Sequence, residues 1–244
     1  MERLAPRRSS SIKISDARKG ETAVFRNPEA IGKELVATPN PEFTTAAKVL
    51  RRNFREYPNK PWLFFQETQD DGKIGGTYVS MNFSQIEKVV KKLGTALLNK
   101  GMVPEKKEFR DYCVRFVGIY GRNCPEWVFT MLTTYVYGFA SVPIYDSMHE
   151  SAAEYSLNLT DVEVLFTTVS HLPGIFDHIK SKSYKTIKHI VIMDAHSYLE
   201  SVQEWSDKFS KETDCKVHTF VSLLESVEDG DELEFPDVKD EDIA

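Results

Sequence analysis

Cysteine is scarce in this 244-residue sequence. Cys113, Cys124 and Cys215 form no C-x-x-C pair and are odd in number, which argues against a structural zinc site and a disulfide framework and fits a reducing compartment. No apolar stretch follows the initial Met. Residues 1–14 are basic and contain serine but are broken by Glu2 and Pro6, so a disordered tail is expected in preference to a signal or transit peptide. The longest uncharged run, residues 127–145, just reaches spanning length. Thr130, Thr133, Thr134, Gly138 and Pro143 interrupt it, so a buried helix followed by a strand is expected there and no transmembrane helix.

Catalytic and cofactor motifs are equally sparse. Gly72-Lys73 and its neighbouring glycines lack the G-x-x-x-x-G-K-[ST] spacing of a phosphate loop, and Gly118 with Gly121 does not complete G-x-G-x-x-G. His149-Glu150 has no second histidine at zinc-helix spacing, and His171, His178, His189, His196 and His218 are scattered. No G-x-S-x-G elbow exposes a serine, and no pair of acidic residues stands out for acid–base work. The sequence therefore offers no catalytic, cofactor-binding or metal position. A net charge of −6 gives no reason to expect nucleic acid as a partner.

What the chain does contain is a repeated strand and helix pattern. Residues 137–166 hold a strand (141–145), a helix with Ala152, Tyr155 and Leu159 at helical spacing, and a second strand (162–168). Ser147 with Glu150 and Ser151 with Glu154 fit helix-capping boxes. Two strands joined by a helix form a βαβ unit and imply a parallel sheet. Upstream, residues 1–40 read as a tail and arm. Ala47, Leu50, Phe54 and Tyr57 share a helical face that Pro58 ends, and Arg51, Arg52 and Arg55 read as a solvated face. Residues 61–65 and 77–80 flank an Asp-Gly turn as a hairpin. Asn82 with Gln85 caps a helix with Phe83, Ile86, Val90, Leu93 and Leu97 on one side, stopped by Gly101.

Residues 114–120 read as a buried strand, leading to a helix capped by Asn123 with Glu126 and opened by Pro125. Gly118 and Gly121 are read as permitting close helix and strand packing. Further strands are expected at 188–194 and 216–221, with helices at 175–182 and 198–211, and the acidic stretch 225–242 reads as solvent-facing. The fold class is α/β, a layered parallel-sheet domain of repeated βαβ units with an N-terminal helix and β-hairpin.

Pro143-Ile144-Tyr145-Asp146-Ser147, the following helix with Glu154, Tyr155 and Asn158, and Gly118 to Trp127 (GIYGRNCPEW) resemble, in order, segments of long-chain fatty acyl-CoA synthetases of the adenylate-forming superfamily. The resemblance covers roughly residues 40 to 244. It implies a fatty acid–CoA ligase working through an acyl-adenylate, with fatty acid, ATP, Mg²⁺ and coenzyme A for the complete enzyme. It also implies that 41–244 are the incomplete, N-terminal portion of the large adenylate-forming domain, ending before its phosphate-binding loop, after a tail at 1–40. This chain alone is then expected to bind no cofactor and to be inactive. The alternative is a binding or assembly module that pairs through an open sheet edge with a full-length ligase or another complex. The expected location is intracellular, in the cytoplasm or peripheral on the endoplasmic reticulum, mitochondrial outer membrane or peroxisome.

Overall fold

The computed structural model describes residues 11–34, 40, 42–68, 74–108, 112–145 and 147–239. It divides at Phe43/Thr44 into two units. In the first, β1 (Ile12–Lys13) pairs antiparallel with β2 (Phe25–Arg26), and a 3-10 turn follows at Pro28–Ala30. The stretch read as an arm thus carries a small hairpin.

The second unit opens with α1 (Ala46–Glu56), capped by the Thr45 side chain and ended at Tyr57 ahead of Pro58. Ala47, Leu50 and Phe54 face inward, while Tyr57 is exposed. Next comes the hairpin of β3 (Pro61–Thr68) and β4 (Ile74–Asn82). Its expected Asp-Gly turn lies outside the described residues. Asn82 and Gln85 form the expected reciprocal capping box at the start of α2 (Phe83–Asn99). All five predicted stripe residues of α2 are buried, each worth roughly 1.5–3 kcal/mol. Gly101 closes the helix with φ of 63°. A short antiparallel pair, β5 (Lys106–Lys107) with β6 (Cys113–Val114), precedes the main sheet.

That sheet has the order β11-β10-β9-β7-β8 and is parallel throughout. Its strands are β7 (Phe116–Tyr120), β8 (Ala140–Ile144), β9 (Val164–Thr167), β10 (His189–Ile192) and β11 (Lys216–Thr219). The helices between them are α3 (Pro125–Tyr137), α4 (Glu150–Leu159), α5 (Leu172–Lys180) and α6 (Leu199–Glu212). Side chains alternate across each strand. Val117, Ile119, Val164, Phe166 and Val191 enter one core with α1, α2 and α3, whereas Leu165, Ile190 and Ile192 enter the other with α4, α5 and α6. The sheet is therefore the middle of three layers, as the repeated βαβ pattern predicts. The uncharged run 127–145 divides between α3 and β8, and among the described residues no helix is long and apolar enough to cross a membrane.

Several local expectations are corrected. Residues Phe220 and Val221 belong to a helix, α7 (Phe220–Glu225), because Thr219 and Ser222 make a capping box that ends β11. His149 caps α4, its side chain accepting from the Ser151 N–H, and neither serine box forms. Ala153 and Leu157 are the buried residues of α4, while Ala152, Tyr155 and Leu159 face solvent. Cys124, not Asn123, is the cap of α3.

The acidic end is also not simply solvated. Val227 and Val238 are buried, and Phe235 packs against Phe54 and Tyr137. Asp229 bridges Lys88 and Lys92 at 2.6 Å each, and the Leu233 N–H donates to Thr95 Oγ1 at 2.9 Å. Arg51, expected in water, donates to the Pro236 carbonyl and lies over the Phe235 ring. Residues 227–238 thus form a strap over α1, α2 and α3.

Candidate functional site

The loops leaving β7 and β8 turn toward opposite faces of the sheet, since α3 packs on one face and α4 on the other. Such divergence opens a crevice at the carboxyl ends of adjacent parallel strands. Here it is a cavity of about 390 Å³ lined by Gly121, Arg122, Asn123, Trp127, Pro143, Ile144, Tyr145 and Ser147. Gly118 and Gly121 let the layers close around it. A Cβ on Gly118 would stand 2.8 Å from Leu165 Cδ1, and one on Gly121 would stand 3.0 Å from Met193 Cε and 3.1 Å from Thr168 Cγ2. This is the close packing expected of both glycines. Asp146, part of the same sequence run, lies outside the described residues.

The wall is apolar at Trp127, Pro143 and Ile144 and polar at Arg122, Asn123 and Ser147. Arg122 is exposed and, among the described residues, has no ion pair or hydrogen bond, so its charge is available to an anion entering the cavity. It precedes α3, whose cap Cys124 makes no side-chain hydrogen bond to the first turn. The helix dipole adds to the attraction.

Behind this wall, burial and then the neighbouring Glu126 push the Cys124 thiol up to about 12, so it is protonated at neutral pH and does not serve as a nucleophile. Burial raises the Glu126 carboxyl as well, with the Cys124 thiol bonded to it and His196 nearby. The cavity can receive an anionic, partly apolar group. The catalytic and cofactor motifs of the sequence name no site residue, and Arg122 and Trp127 belong to none of them. The signal was the pair of strand ends, which becomes a cavity only when β7 and β8 are known to be neighbours.

Residues 50–244 match the family of AMP-binding enzymes. The chain belongs to this family. It is 30% identical to long chain acyl-CoA synthetase 4 of Arabidopsis thaliana over 162 residues, covering 66% of this chain and 22% of that protein. With long chain acyl-CoA synthetase 1 of the same plant the identity is 24% over 224 residues, 92% of this chain and 31% of that one. Long-chain-fatty-acid–CoA ligase 5 of Rattus norvegicus is 26% identical over 62% of this chain and 20% of its own. The chain therefore spans less than a third of these relatives.

Among solved structures, the A domain of carboxylic acid reductase from Segniliparus rugosus, in complex with AMP and a co-purified carboxylic acid, aligns with a TM-score of 0.64 at 14% identity, over 80% of this chain and 31% of that one. The adenylation domain of a Mycobacterium chelonae carboxylate reductase gives 0.66 at 14%, over 83% and 31%. These likenesses establish the fold, which is that of part of an adenylation domain.

Of the histidines, His171 sits edge-on to Tyr120 with ring centres 4.3 Å apart, and His178 stacks on Tyr184 at 4.6 Å. His189 and His218 meet across β10 and β11 with nitrogens 3.3 Å apart. Burial first, then His189, Lys100 and Lys216, push His218 down to about 4. Burial, then Lys216, lowers His189. A folded-state value below the ordinary 6.5 or so means that the unfolded chain binds the extra proton more readily. The contribution is thus complete above about pH 6.5 and is lost as pH falls through about 4. Because His218 is half exposed, the effect is discounted to roughly 1–2 kcal/mol. Urea titrations at neutral and acidic pH should show His218→Gln losing less stability on acidification than the parent. Equal losses would rule out this histidine as a contributor.

Proposed function

We propose that this chain is the opening part of a long-chain fatty acid–CoA ligase. A fatty acid carboxylate oxygen attacks the α-phosphorus of ATP and pyrophosphate leaves. The coenzyme A sulfur then attacks the acyl carbon, AMP leaves, and the thiol proton passes to solvent. Both steps bring anions together and require amide donors around phosphate, Mg²⁺ and a lysine against the developing charge. The observation that carries this reading is the family match over residues 50–244, joined to a cavity that offers Arg122 at the carboxyl ends of β7 and β8.

The 244 residues contain no Ser/Thr/Gly-rich loop ending in Pro-Lys-Gly, so by themselves they supply scaffold and one wall of the site and do not turn over. ATP, Mg²⁺ and coenzyme A are cofactors and substrates of the complete enzyme. Association with a membrane surface would be peripheral.

The test begins with the native protein, captured through an antibody to residues 137–166. Its expected mass is well above 27.9 kDa, and it releases AMP only with ATP, a long-chain fatty acid and coenzyme A together. In that enzyme Arg122→Ala should raise the KM of one anionic substrate about tenfold, as loss of a charge-assisted hydrogen bond does. A native mass near 27.9 kDa without ligase activity would overturn the reading.

That outcome would favour an assembly module, for which one feature speaks. β8 is an edge strand, and Tyr145, Tyr155 and Leu159 nearby are 64%, 67% and 65% exposed. Pro143 within β8 has no N–H to offer a partner strand, which blunts this edge.

A further inference from the structure

Away from the cavity, His189 at the start of β10 and His218, third residue of β11, bring Nδ1 of the first within 3.3 Å of Nε2 of the second. Their rings are 5.5 Å apart and half-buried. The strand register sets Lys216 beside His189, Lys188 directly precedes it, and Lys100 at the end of α2 acts on His218. The one acidic group acting on His189 is Glu163, which already binds Lys188 at 2.9 Å and Lys106 at 3.8 Å. Lys100 and Lys216 are exposed and, among the described residues, have no counter-ion. In a chain of net charge −6, this is a local knot of cations whose one carboxylate among the described residues is taken.

Two chemistries fit two imidazoles so close together. A nitrogen separation of 3.3 Å matches two ligands about 2.0–2.1 Å from a tetrahedral zinc ion. The field opposes that choice, because Lys100, Lys188 and Lys216 repel a dication, and among the described residues no third ligand completes a metal cluster. An anion gains from every one of these neighbours. Two neutral imidazoles share one of their two N–H protons, so one further proton from solvent lets both rings donate outward to the anion's oxygens, and the ammonium groups of Lys100 and Lys216 supply the remaining charge.

We propose that His189, His218, Lys100 and Lys216 form a binding site for a phosphate-type dianion, carried by a soluble phosphate compound or a lipid headgroup. Binding takes up a proton on the histidine pair, so it tightens as pH falls from neutral toward about 6, where the phosphate itself protonates and the gain ends. The facing groups are Glu163 before β9, Lys188 before β10, Lys216 on β11 and Lys100 from α2. Of these only Glu163 opposes the anion, and it is held by Lys188 and Lys106.

The test follows the imidazole NMR signals of the full chain through an acid titration, with and without inorganic phosphate. Phosphate should raise the midpoints of His189 and His218. Lys100→Ala with Lys216→Ala should weaken phosphate binding roughly tenfold, equivalent to one unit of midpoint shift. Without phosphate, the same pair should raise both histidine midpoints, a readout of the field that requires an intact fold; Lys100→Ala alone should do so for His218. Sedimentation with phosphatidylcholine vesicles containing phosphatidic acid, but not with phosphatidylcholine alone, assigns the phosphate to a lipid. Binding of phosphate without sedimentation assigns it to a soluble compound. Unchanged midpoints at millimolar phosphate, or Zn²⁺ binding to the histidines in place of phosphate, would overturn the proposal.

Discussion

Gly94→Ala lowers the melting temperature by roughly 5–10 °C, from an overpacking cost of about 2–3 kcal/mol in a domain of this size. In an exposed helix the same exchange stabilises by up to about 1 kcal/mol, so the sign is decided by the space above Gly94. A Cβ there would lie 2.1 Å from Tyr137 Cε2 and 2.4 Å from Cδ2. The ring cannot easily give way. It stacks on Phe139 at 5.6 Å and meets Phe235 edge-on at 5.6 Å, while its hydroxyl donates to the carbonyl of Lys91 or Leu233, 3.1 and 3.2 Å away. Gly174→Ala in α5, where nothing lies within 4 Å, is the control and should be neutral or stabilising. A Gly94→Ala protein as stable as its parent would mean that α2 and α3 are not in this contact.

Phe166→Ala should cost about 3–5 kcal/mol, the usual range for emptying a buried aromatic position. Phe166 is fully buried on β9, at the middle of the five-stranded sheet, with its ring edge-on to Phe220 at 6.4 Å. The cavity would be bounded by strands on one side and helices on the other, so neighbours can collapse into it only partly. Phe64→Ala, at a position 61% exposed, should change stability by no more than about 0.5 kcal/mol. Urea unfolding of both variants measures the contrast. Equal losses would contradict the division of faces described for the sheet.

The layered fold was legible because strong local signals agreed with one another. The Asn82 and Gln85 box, the α2 stripe and the strand runs each pointed to elements that the sheet then required. The register of α4 was not legible. Ala152, Tyr155 and Leu159 form as regular a stripe as Ala153 and Leu157, and a helix of ten residues gives periodicity too little length to choose. Bulk favoured the wrong face. The strap was missed for a different reason: its acids dominate the composition, while Val227, Phe235 and Val238 are too widely spaced to register as a core pattern. Arg51 was misread with it, since its partner at Pro236 is far away in sequence. The cavity required knowledge that β7 and β8 are neighbours, which makes Arg122 and Tyr145 face one space.

The strap also sets a timetable for synthesis. Arg51 and its partner Pro236 are 185 residues apart, so α1 leaves the ribosome well before the segment that covers it. At the usual elongation rate of about 5–20 residues per second, Phe54 waits roughly 10–40 s for the ring that stacks on it. During that interval the nascent helix exposes an aromatic residue to other chains and to chaperones. Phe83 covers one side of that ring early, and the later arrival of Phe235 closes the other, so the strap ends the exposure of this face to aggregation.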